Sequence, residues 1–254
     1  MILIPYPSFG EYNRVFNVKD TYDDNCEFDE IFIEDKIKNA SNIVFVNPNN
    51  PTGTMLKTSW ILKMIDNYPN KFFIVDESFI EFSDEKSIID HLELSSRNNV
   101  IVIRSMSKTY GLPGIRLGFI YSCNAKLISK ISSKVPIWNL NSLSEFFMEI
   151  ILKNKRALDK SIEKTKIDRE LFINSLNNLK FVEKAFNSGG NFILFKINNK
   201  LTVSNLSEYL IQNHFIYIKD VSDKFNSKPN TFFRVAVRNP IDNNILIKFL
   251  KEIK

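Results

Sequence analysis

The stretch Asn47-Pro48-Asn49-Asn50-Pro51-Thr52-Gly53 follows the apolar run Ile43–Val46, and the interpretation of the whole chain starts from it. Two prolines and a glycine within these seven residues fix a rigid turn at the end of a buried strand, although such a turn alone is typical of a plain loop. Strands that alternate with helices predict an α/β domain with a mainly parallel sheet, which binds ligands at the carboxyl ends of its strands. The other apolar runs and the clearest helical stretch are Ile2–Ile4, Phe72–Val75, Val100–Ile103, Leu117–Tyr121 and Ser59–Tyr68.

The pattern of the sequence changes after Lys126. Residues from about Leu143 to Leu179 are predicted to be mostly helical, and the polar stretch Lys153–Arg169 indicates a long exposed helix. A strand, a helix, two strands and a helix are then predicted at Phe192–Ile197, Val203–Asn213, Ile216–Ile218, Phe232–Val237 and Asp242–Lys254. We therefore expect a large domain at 1–142, connecting helices at 143–179 and a small α+β domain at 180–254.

Composition excludes several classes of function. The chain has 254 residues and a formal net charge of +5 without a block of like charges, so we expect no nucleic-acid partner. Its two cysteines are too few for a disulfide scaffold and indicate a reducing compartment. His91 and His214 are its two histidines, and neither is near a second pair of metal ligands, so no metal site is expected. No apolar run reaches 18 residues, so we expect a cytoplasmic protein without a membrane partner.

Two further loops follow predicted strands and carry polar side chains. In Val75-Asp76-Glu77-Ser78-Phe79, burial of Asp76 is costly unless a cation meets it, although Asp76 could equally cap the next helix. The segment from Ser105 to Gly118 contains hydroxyls, three glycines, the single lysine Lys108 and, eight residues later, Arg116. Its glycine spacing does not match a dinucleotide fingerprint or a P-loop. Alone, this segment indicates only a generic anion-binding loop.

Together, the order and spacing of the three loops resemble the class I/II aminotransferase superfamily of pyridoxal-phosphate (PLP) enzymes. The chain is most similar to histidinol-phosphate aminotransferases, threonine-phosphate decarboxylases and the aminotransferase-like halves of certain nucleotidyltransferase fusions. The resemblance extends from Pro5 to the C-terminus. It implies a PLP-binding large domain with a mainly parallel sheet, a small α+β domain and a homodimer.

The resemblance also implies which residues bind the cofactor. Lys108 would form the Schiff base with PLP, Asp76 would keep the pyridine nitrogen protonated, and Asn50 would donate to the 3-oxygen of the ring. The phosphate would be held by Ser105, Ser107 and Arg116. Phe9 matches the position at which the family stacks an aromatic ring on the cofactor, although a core phenylalanine at a strand end explains it equally well.

Three residues are candidates for binding a small amino-acid substrate. Arg234, in the segment Phe233–Arg238, matches the arginine that grips the substrate α-carboxylate. Lys219 stands where relatives with phosphorylated substrates often carry arginine, although a solvated surface lysine is the alternative. Asn139, together with Asn141, follows Trp138 and could line the substrate side or simply satisfy its own loop.

The sequence departs from the family pattern at two places. Phe79 stands where many relatives have a tyrosine whose hydroxyl also binds the 3-oxygen, so Asn50 would carry more of that role. The chain starts at what would be the second strand of the large domain, without a counterpart of the phosphate-capping helix. We therefore expect it to bind PLP at least about tenfold more weakly than a version extended upstream.

Transamination of a small, possibly phosphorylated amino acid is the leading prediction for the reaction. Decarboxylation of an amino-acid phosphate, of threonine-phosphate or serine-phosphate type, uses the same electron sink and is the alternative within PLP chemistry. An inactive, truncated PLP-fold protein that serves as a binding module is the alternative of a different class.

Overall fold

The computed structural model of this chain describes residues 1–17, 19–92, 97–198, 203 and 205–253. Six strands form its first sheet: β1 (Ile2–Tyr6), β2 (Lys19–Asp23), β3 (Asn42–Val46), β4 (Phe72–Asp76), β5 (Val100–Ser105) and β6 (Gly118–Tyr121). Their order in space is β2-β1-β3-β4-β5-β6, and every neighbouring pair is parallel except β5 and β6. The predicted α/β fold with a mainly parallel sheet is thereby confirmed.

Helices flank this sheet, and some of them bury apolar residues in its core. In the part of the chain up to residue 132 they are α1 (Gly10–Val15), α2 (Glu30–Asn39), α3 (Thr58–Asn67), α4 (Ile89–Leu92), α5 (Met106–Thr109) and α6 (Ala125–Ser132). The predicted helix at 59–68 corresponds to α3, whose Trp60, Ile61 and Met64 are buried in one cluster with Phe45 and Phe73 of the sheet. This cluster fixes the strands whose carboxyl ends carry the predicted loops.

A second, antiparallel sheet occupies the C-terminal part. Its strands β7 (Val182–Ala185), β8 (Phe192–Ile197), β9 (Lys219–Asp220) and β10 (Phe232–Ala236) lie in the order β7-β8-β10-β9, with α9 (Leu206–His214) and α10 (Pro240–Glu252) in the same region. The prediction of a strand at 216–218 is wrong, because only Lys219 and Asp220 pair with β10. The helix predicted from residue 203 begins at Leu206 because the Asn205 side chain caps it by accepting from the Glu208 amide; Ser204 lies outside the described residues.

Two helices, α7 (Ser142–Lys153) and α8 (Lys155–Asn177), connect the sheets, as the helical pattern predicted. The expectation that the stretch 153–169 is exposed is wrong at Ile162, Asp168 and Arg169, which are buried. Arg169 Nη1 donates to the carbonyls of Phe82, at 2.7 Å, and of Gly190, at 3.1 Å. The helix thus ties the turn after β4 to the loop before β8. The division into parts at 142/143 and 179/180 stays a prediction.

None of the helices in the described residues combines the length and the apolar character needed to cross a bilayer.

Candidate functional site

Three loops meet at the carboxyl edge of the parallel strands, where the sequence predicted the ligand site. Backbone hydrogen bonds hold them side by side: Asn47 N–H donates to the Asp76 carbonyl at 2.8 Å, and Glu77 N–H donates to the Ile103 carbonyl at 2.9 Å. The loop after β5 folds back on itself, because Met106 N–H donates to the Leu117 carbonyl at 3.0 Å. The loops that carry Asn50, Asp76 and Lys108 are therefore neighbours in the order β3, β4, β5.

Asp76 is the last residue of β4 and is only 8% exposed. Its Oδ2 accepts a hydrogen bond from the Tyr12 hydroxyl at 2.6 Å, and its Oδ1 accepts from the Ser78 amide at 2.9 Å and the Ser78 hydroxyl at 2.5 Å. The sequence analysis did not single out Tyr12, although it is three residues after Phe9 on the short helix α1. Burial, and then the Asp76 carboxylate, raise the pKa of Tyr12 well above its usual range, so the phenol remains a neutral donor.

Asn50 and Arg234 connect the two sheets directly. Arg234 Nη1 donates to Asn50 Oδ1, and its guanidinium carbon lies 5.3 Å from the centroid of the Phe192 ring. Phe192 in turn makes an edge-to-face contact with Phe79, with ring centroids 5.1 Å apart. Burial lowers the pKa of Arg234, and Tyr217 acts in the opposite direction and raises it. Arginine nevertheless stays charged at physiological pH. The site therefore contains a half-buried cation whose described polar partner is a neutral amide.

Lys108 lies on the one-turn helix α5, and its side chain is exposed. Among the described residues, no ion pair involves it. The following residue anchors the helix, since the Thr109 hydroxyl donates to Glu81 Oε2 at 2.9 Å. Glu81 also accepts from Arg104 on β5. The amine is thus accessible on a backbone that neighbouring residues hold in place.

The three residues predicted to hold a phosphate are placed differently. Ser105 is half-buried at the end of β5, and Arg116 is exposed with a left-handed φ of 55°, its Nη1 donating to the Pro113 carbonyl at 3.0 Å. Ser107 is buried, and its hydroxyl donates to the Leu117 carbonyl at 3.4 Å. Arg116 and Ser105 are therefore better placed than Ser107 to meet an anion in solution.

The remaining predicted residues lie at the margin of the site. The Phe9 ring is 48% exposed and contacts Tyr12 edge to face, with ring centroids 6.5 Å apart, so Phe9 is not a core residue. Lys219 is exposed and pairs across strands with Arg234. Asn139 is also exposed, and its side chain forms no hydrogen bond within the described part of the chain. Its neighbour Asn141 caps α7 instead.

Lys224 is a cation near the site that the sequence analysis did not single out. Its Nζ donates to the Ser8 carbonyl at 2.8 Å, so it reaches from the C-terminal sheet to the turn before α1. Burial lowers the pKa of Lys224, and the charges of Lys219 and Arg234 lower it further, whereas the charge of Asp223 raises it. Lys219 and Arg234 are cross-strand partners on β9 and β10, and both charges act on Lys224, so the three cations lie close together. We call these three residues the cationic cluster below.

The donor set fits PLP. A carboxylate is available for a protonated ring nitrogen, an amide for the 3-oxygen, an exposed amine for the aldehyde, and a guanidinium with a hydroxyl for the phosphate. By contrast, the described residues contain no group of three or more His, Cys, Asp or Glu side chains that could hold a metal ion.

Comparison with known proteins identifies the family and agrees with the fold. The family model described as aminotransferase class I and II matches residues 1–250. The chain is 34% identical over 213 residues to the adenosylcobalamin biosynthesis bifunctional protein CobDQ of Leptospira interrogans, covering 83% of this chain and 24% of that protein. It is 32% identical to a putative threonine-phosphate decarboxylase of Caldanaerobacter subterraneus, covering 98% and 70% of the two chains. The histidinol-phosphate aminotransferase of Clostridium acetobutylicum superposes with a TM-score of 0.87 at 28% identity, covering 99% of this chain and 77% of that one. The chain thus spans about a quarter of the length of the Leptospira relative.

Proposed function

Because this chain belongs to the class I and II aminotransferase family, we propose that it is a PLP-dependent enzyme that transfers the amino group of a small, phosphate-bearing amino acid. One observation carries the proposal: the buried Asp76 carboxylate lies between the loop of Asn50, which meets Arg234, and the loop of Lys108. When bound, PLP supplies an electron sink for bonds at the substrate α-carbon. The protein would supply binding, orientation and proton transfer.

Lys108 would bind the cofactor covalently and would also transfer a proton. Its amine is exposed on α5 and is therefore accessible to an aldehyde. Lys108 Nζ would also act as the base that takes the proton from the substrate Cα.

Asp76 and Asn50 would orient the cofactor ring. Asp76 would hold a proton on the ring nitrogen, while Tyr12 and Ser78 fix the direction of its carboxylate. Asn50 Oδ1 accepts a hydrogen bond from Arg234, so Asn50 Nδ2 would donate to the 3-oxygen. Phe79 has no hydroxyl to share this role and packs against Phe192 instead.

The cationic cluster would bind a substrate that carries two anionic groups. Arg234 would grip the α-carboxylate with its fork of donors, above the Phe192 ring. Lys219 and Lys224 would meet the distal phosphate, because none of the three cations of the cluster forms an ion pair in the described parts of the chain. A bound dianion would relieve their mutual repulsion.

Decarboxylation of an amino-acid phosphate is the second candidate reaction. Two observations favour it: the lack of a hydroxyl at Phe79, and the 32% identity to a putative threonine-phosphate decarboxylase over 98% of this chain. The two reactions differ in which bond at the α-carbon breaks, and both use the same residues around the ring.

The proposal is tested by reconstitution with PLP. We expect a visible absorption band on addition of PLP to the purified chain, and borohydride should then fix the cofactor to Lys108, as read by peptide mass spectrometry. Lys108 is expected to react because it is exposed and free of ion pairs among the described residues. A label on another lysine, or no label, would contradict the proposal.

The type of reaction is decided with one substrate and two readouts. The reconstituted protein is incubated with L-threonine phosphate and 2-oxoglutarate, and both glutamate and carbon dioxide are measured. Glutamate indicates transamination, whereas carbon dioxide indicates decarboxylation. Neither product, in a protein that binds PLP at Lys108 and is also inert toward histidinol phosphate, would favour the inactive binding module.

Removing either lysine of the cationic cluster should impair phosphorylated substrates selectively. We expect Lys219→Ala and Lys224→Ala each to raise KM for a phosphorylated amino acid about tenfold, or ~1.4 kcal/mol, because each removes one charge facing the phosphate. The KM for the unphosphorylated analogue should change little. Lys228→Ala removes an exposed charge from the same region and serves as the control. An equal rise in KM for both substrates would show that the lysine does not bind the phosphate.

We also propose that the protein is a cytoplasmic homodimer. Support comes from the segment after α6, where Ile137, Trp138, Leu143 and Phe146 are all exposed, Trp138 by 93%. Several large apolar side chains exposed in one segment are typical of an interface. Sedimentation of the purified protein would measure its oligomeric state.

A further inference from the structure

Asp24 is a buried carboxylate to which the proposed chemistry assigns no role. It follows directly after the edge strand β2, is 0% exposed, and its amide donates to the Tyr6 carbonyl at 2.7 Å. Among the described residues, no lysine or arginine forms an ion pair with it. A fully buried acid without a cation is costly and needs neutral donors to compensate for lost solvation.

Four donors provide that compensation, and three of them are side chains from the loop after β3 and its immediate continuation. Oδ2 accepts from the Asn49 amide at 2.6 Å and from the Thr52 hydroxyl. Oδ1 accepts from the Thr54 hydroxyl at 2.8 Å and from the Cys26 amide at 3.0 Å. Burial raises the pKa of Asp24, while these hydrogen bonds lower it. Each oxygen thus accepts two hydrogen bonds, an arrangement suited to the ionised carboxylate.

A single residue, Asn49, links Asp24 to Asn50. Asn49, held by Asp24, also donates to the Pro7 carbonyl at 2.8 Å, and its Oδ1 accepts from the Ser8 hydroxyl and the Asn50 amide, both at 2.9 Å. Every polar atom of the Asn49 side chain is therefore engaged. The backbone of Asn50 is fixed by a side chain that Asp24 orients, and the Asn50 side chain meets Arg234.

We infer that Asp24 is a positioning residue, which acts through Asn49 to set the Asn50 amide against both the cofactor 3-oxygen and Arg234. This inference rests on the proposed function for the identity of the group that Asn50 meets. An asparagine at position 24 would place an amide N–H₂ against two donors on one side of the group. The loop would then shift, and the hydrogen bond from Asn50 to the 3-oxygen would weaken.

The test is a pH titration of the visible band of Lys108-bound PLP. A hydrogen bond to the 3-oxygen stabilises its negative form, so losing that bond raises the pKa of the chromophore. We expect Asp24→Asn to raise this pKa by roughly half a unit to one unit, in the direction of Asn50→Ala. The double variant should shift it no further than Asn50→Ala alone, because both changes remove one interaction. Asp23→Asn, an exposed neighbour with the same change of charge, should leave it unchanged.

Several outcomes would overturn the inference. One is a folded, PLP-binding Asp24→Asn protein with the wild-type pKa, and another is full additivity with Asn50→Ala. If Asp24→Asn does not fold, Thr54→Val tests the inference instead, because it removes one donor to Asp24 and keeps the carboxylate. Thr54→Val should raise the pKa of the chromophore by less than Asp24→Asn would. If the wild-type chain shows no visible band, the proposed function fails. The positioning role of Asp24 is then tested by the NMR signals of the Asn50 side-chain amide. Asp24→Asn or Thr54→Val should move those signals, whereas Asp23→Asn should not.

Discussion

Replacement of Lys108 by alanine should abolish the borohydride-stable attachment of PLP and reduce turnover at least about a thousandfold, or ~4 kcal/mol of barrier. The physical reason is that one amine serves twice, as the point of attachment and as the base at the substrate α-carbon. Asp76, Asn50 and Arg116 remain in the variant, so PLP should still bind without a covalent bond. Absorption spectra and single-turnover kinetics measure the two effects separately.

Lys126→Ala is the matched control for this prediction. Lys126 lies on α6, is exposed like Lys108, and its loss changes the net charge by the same amount. It should therefore keep the visible band and wild-type turnover. A borohydride-stable label in Lys108→Ala, or turnover within a few-fold of wild type, would show that another lysine holds the cofactor.

The parallel sheet could largely be predicted from the sequence because its inner strands are continuous apolar runs. β3 is buried almost throughout, and β4 and β5 contain no exposed residue, and such strands give a clear signal. The edge strand β2 gives none, since only Tyr22 of its five residues is buried and its neighbours are charged or polar. Strand β9 was misplaced by a few residues, because the apolar run 216–218 resembles a strand. Ile218 is buried, but among the described residues the pairing with β10 begins at Lys219.

The loops of the site could be predicted, whereas the partners of their residues could not. Asn50, Asp76 and Lys108 follow strands directly, so their position at the sheet edge follows from topology. Tyr12 and Lys224 reach their partners across 64 and 216 residues of sequence, and nothing local marks either side chain. Arg169 is another example, because a charged residue in a polar helix gives no sign that it will be buried against two carbonyls.

Arg234 is the residue through which the substrate and the cofactor would influence each other. Its guanidinium lies on Phe192 and donates to Asn50, so a carboxylate that takes up this cation also changes the surroundings of the Asn50 amide. Since Phe79 provides no hydroxyl, Asn50 would be the principal side-chain donor to the 3-oxygen. The grip on the substrate and the electronic state of the ring would therefore depend on the same pair of residues.

Arg234→Ala should accordingly weaken substrate binding by about 2–5 kcal/mol, which is roughly thirtyfold to several thousandfold. The variant loses a bidentate partner for the α-carboxylate in a half-buried setting and leaves Asn50 Oδ1 without its donor. Arg238→Ala is the control, because Arg238 lies in the same segment but has a side chain that is 69% exposed and pairs with Asp242 at 2.7 Å. Substrate titrations of the PLP-loaded proteins measure both affinities. A loss in Arg238→Ala equal to that in Arg234→Ala would mean that the carboxylate is held elsewhere, because Arg234 donates to Asn50 whereas Arg238 pairs with Asp242.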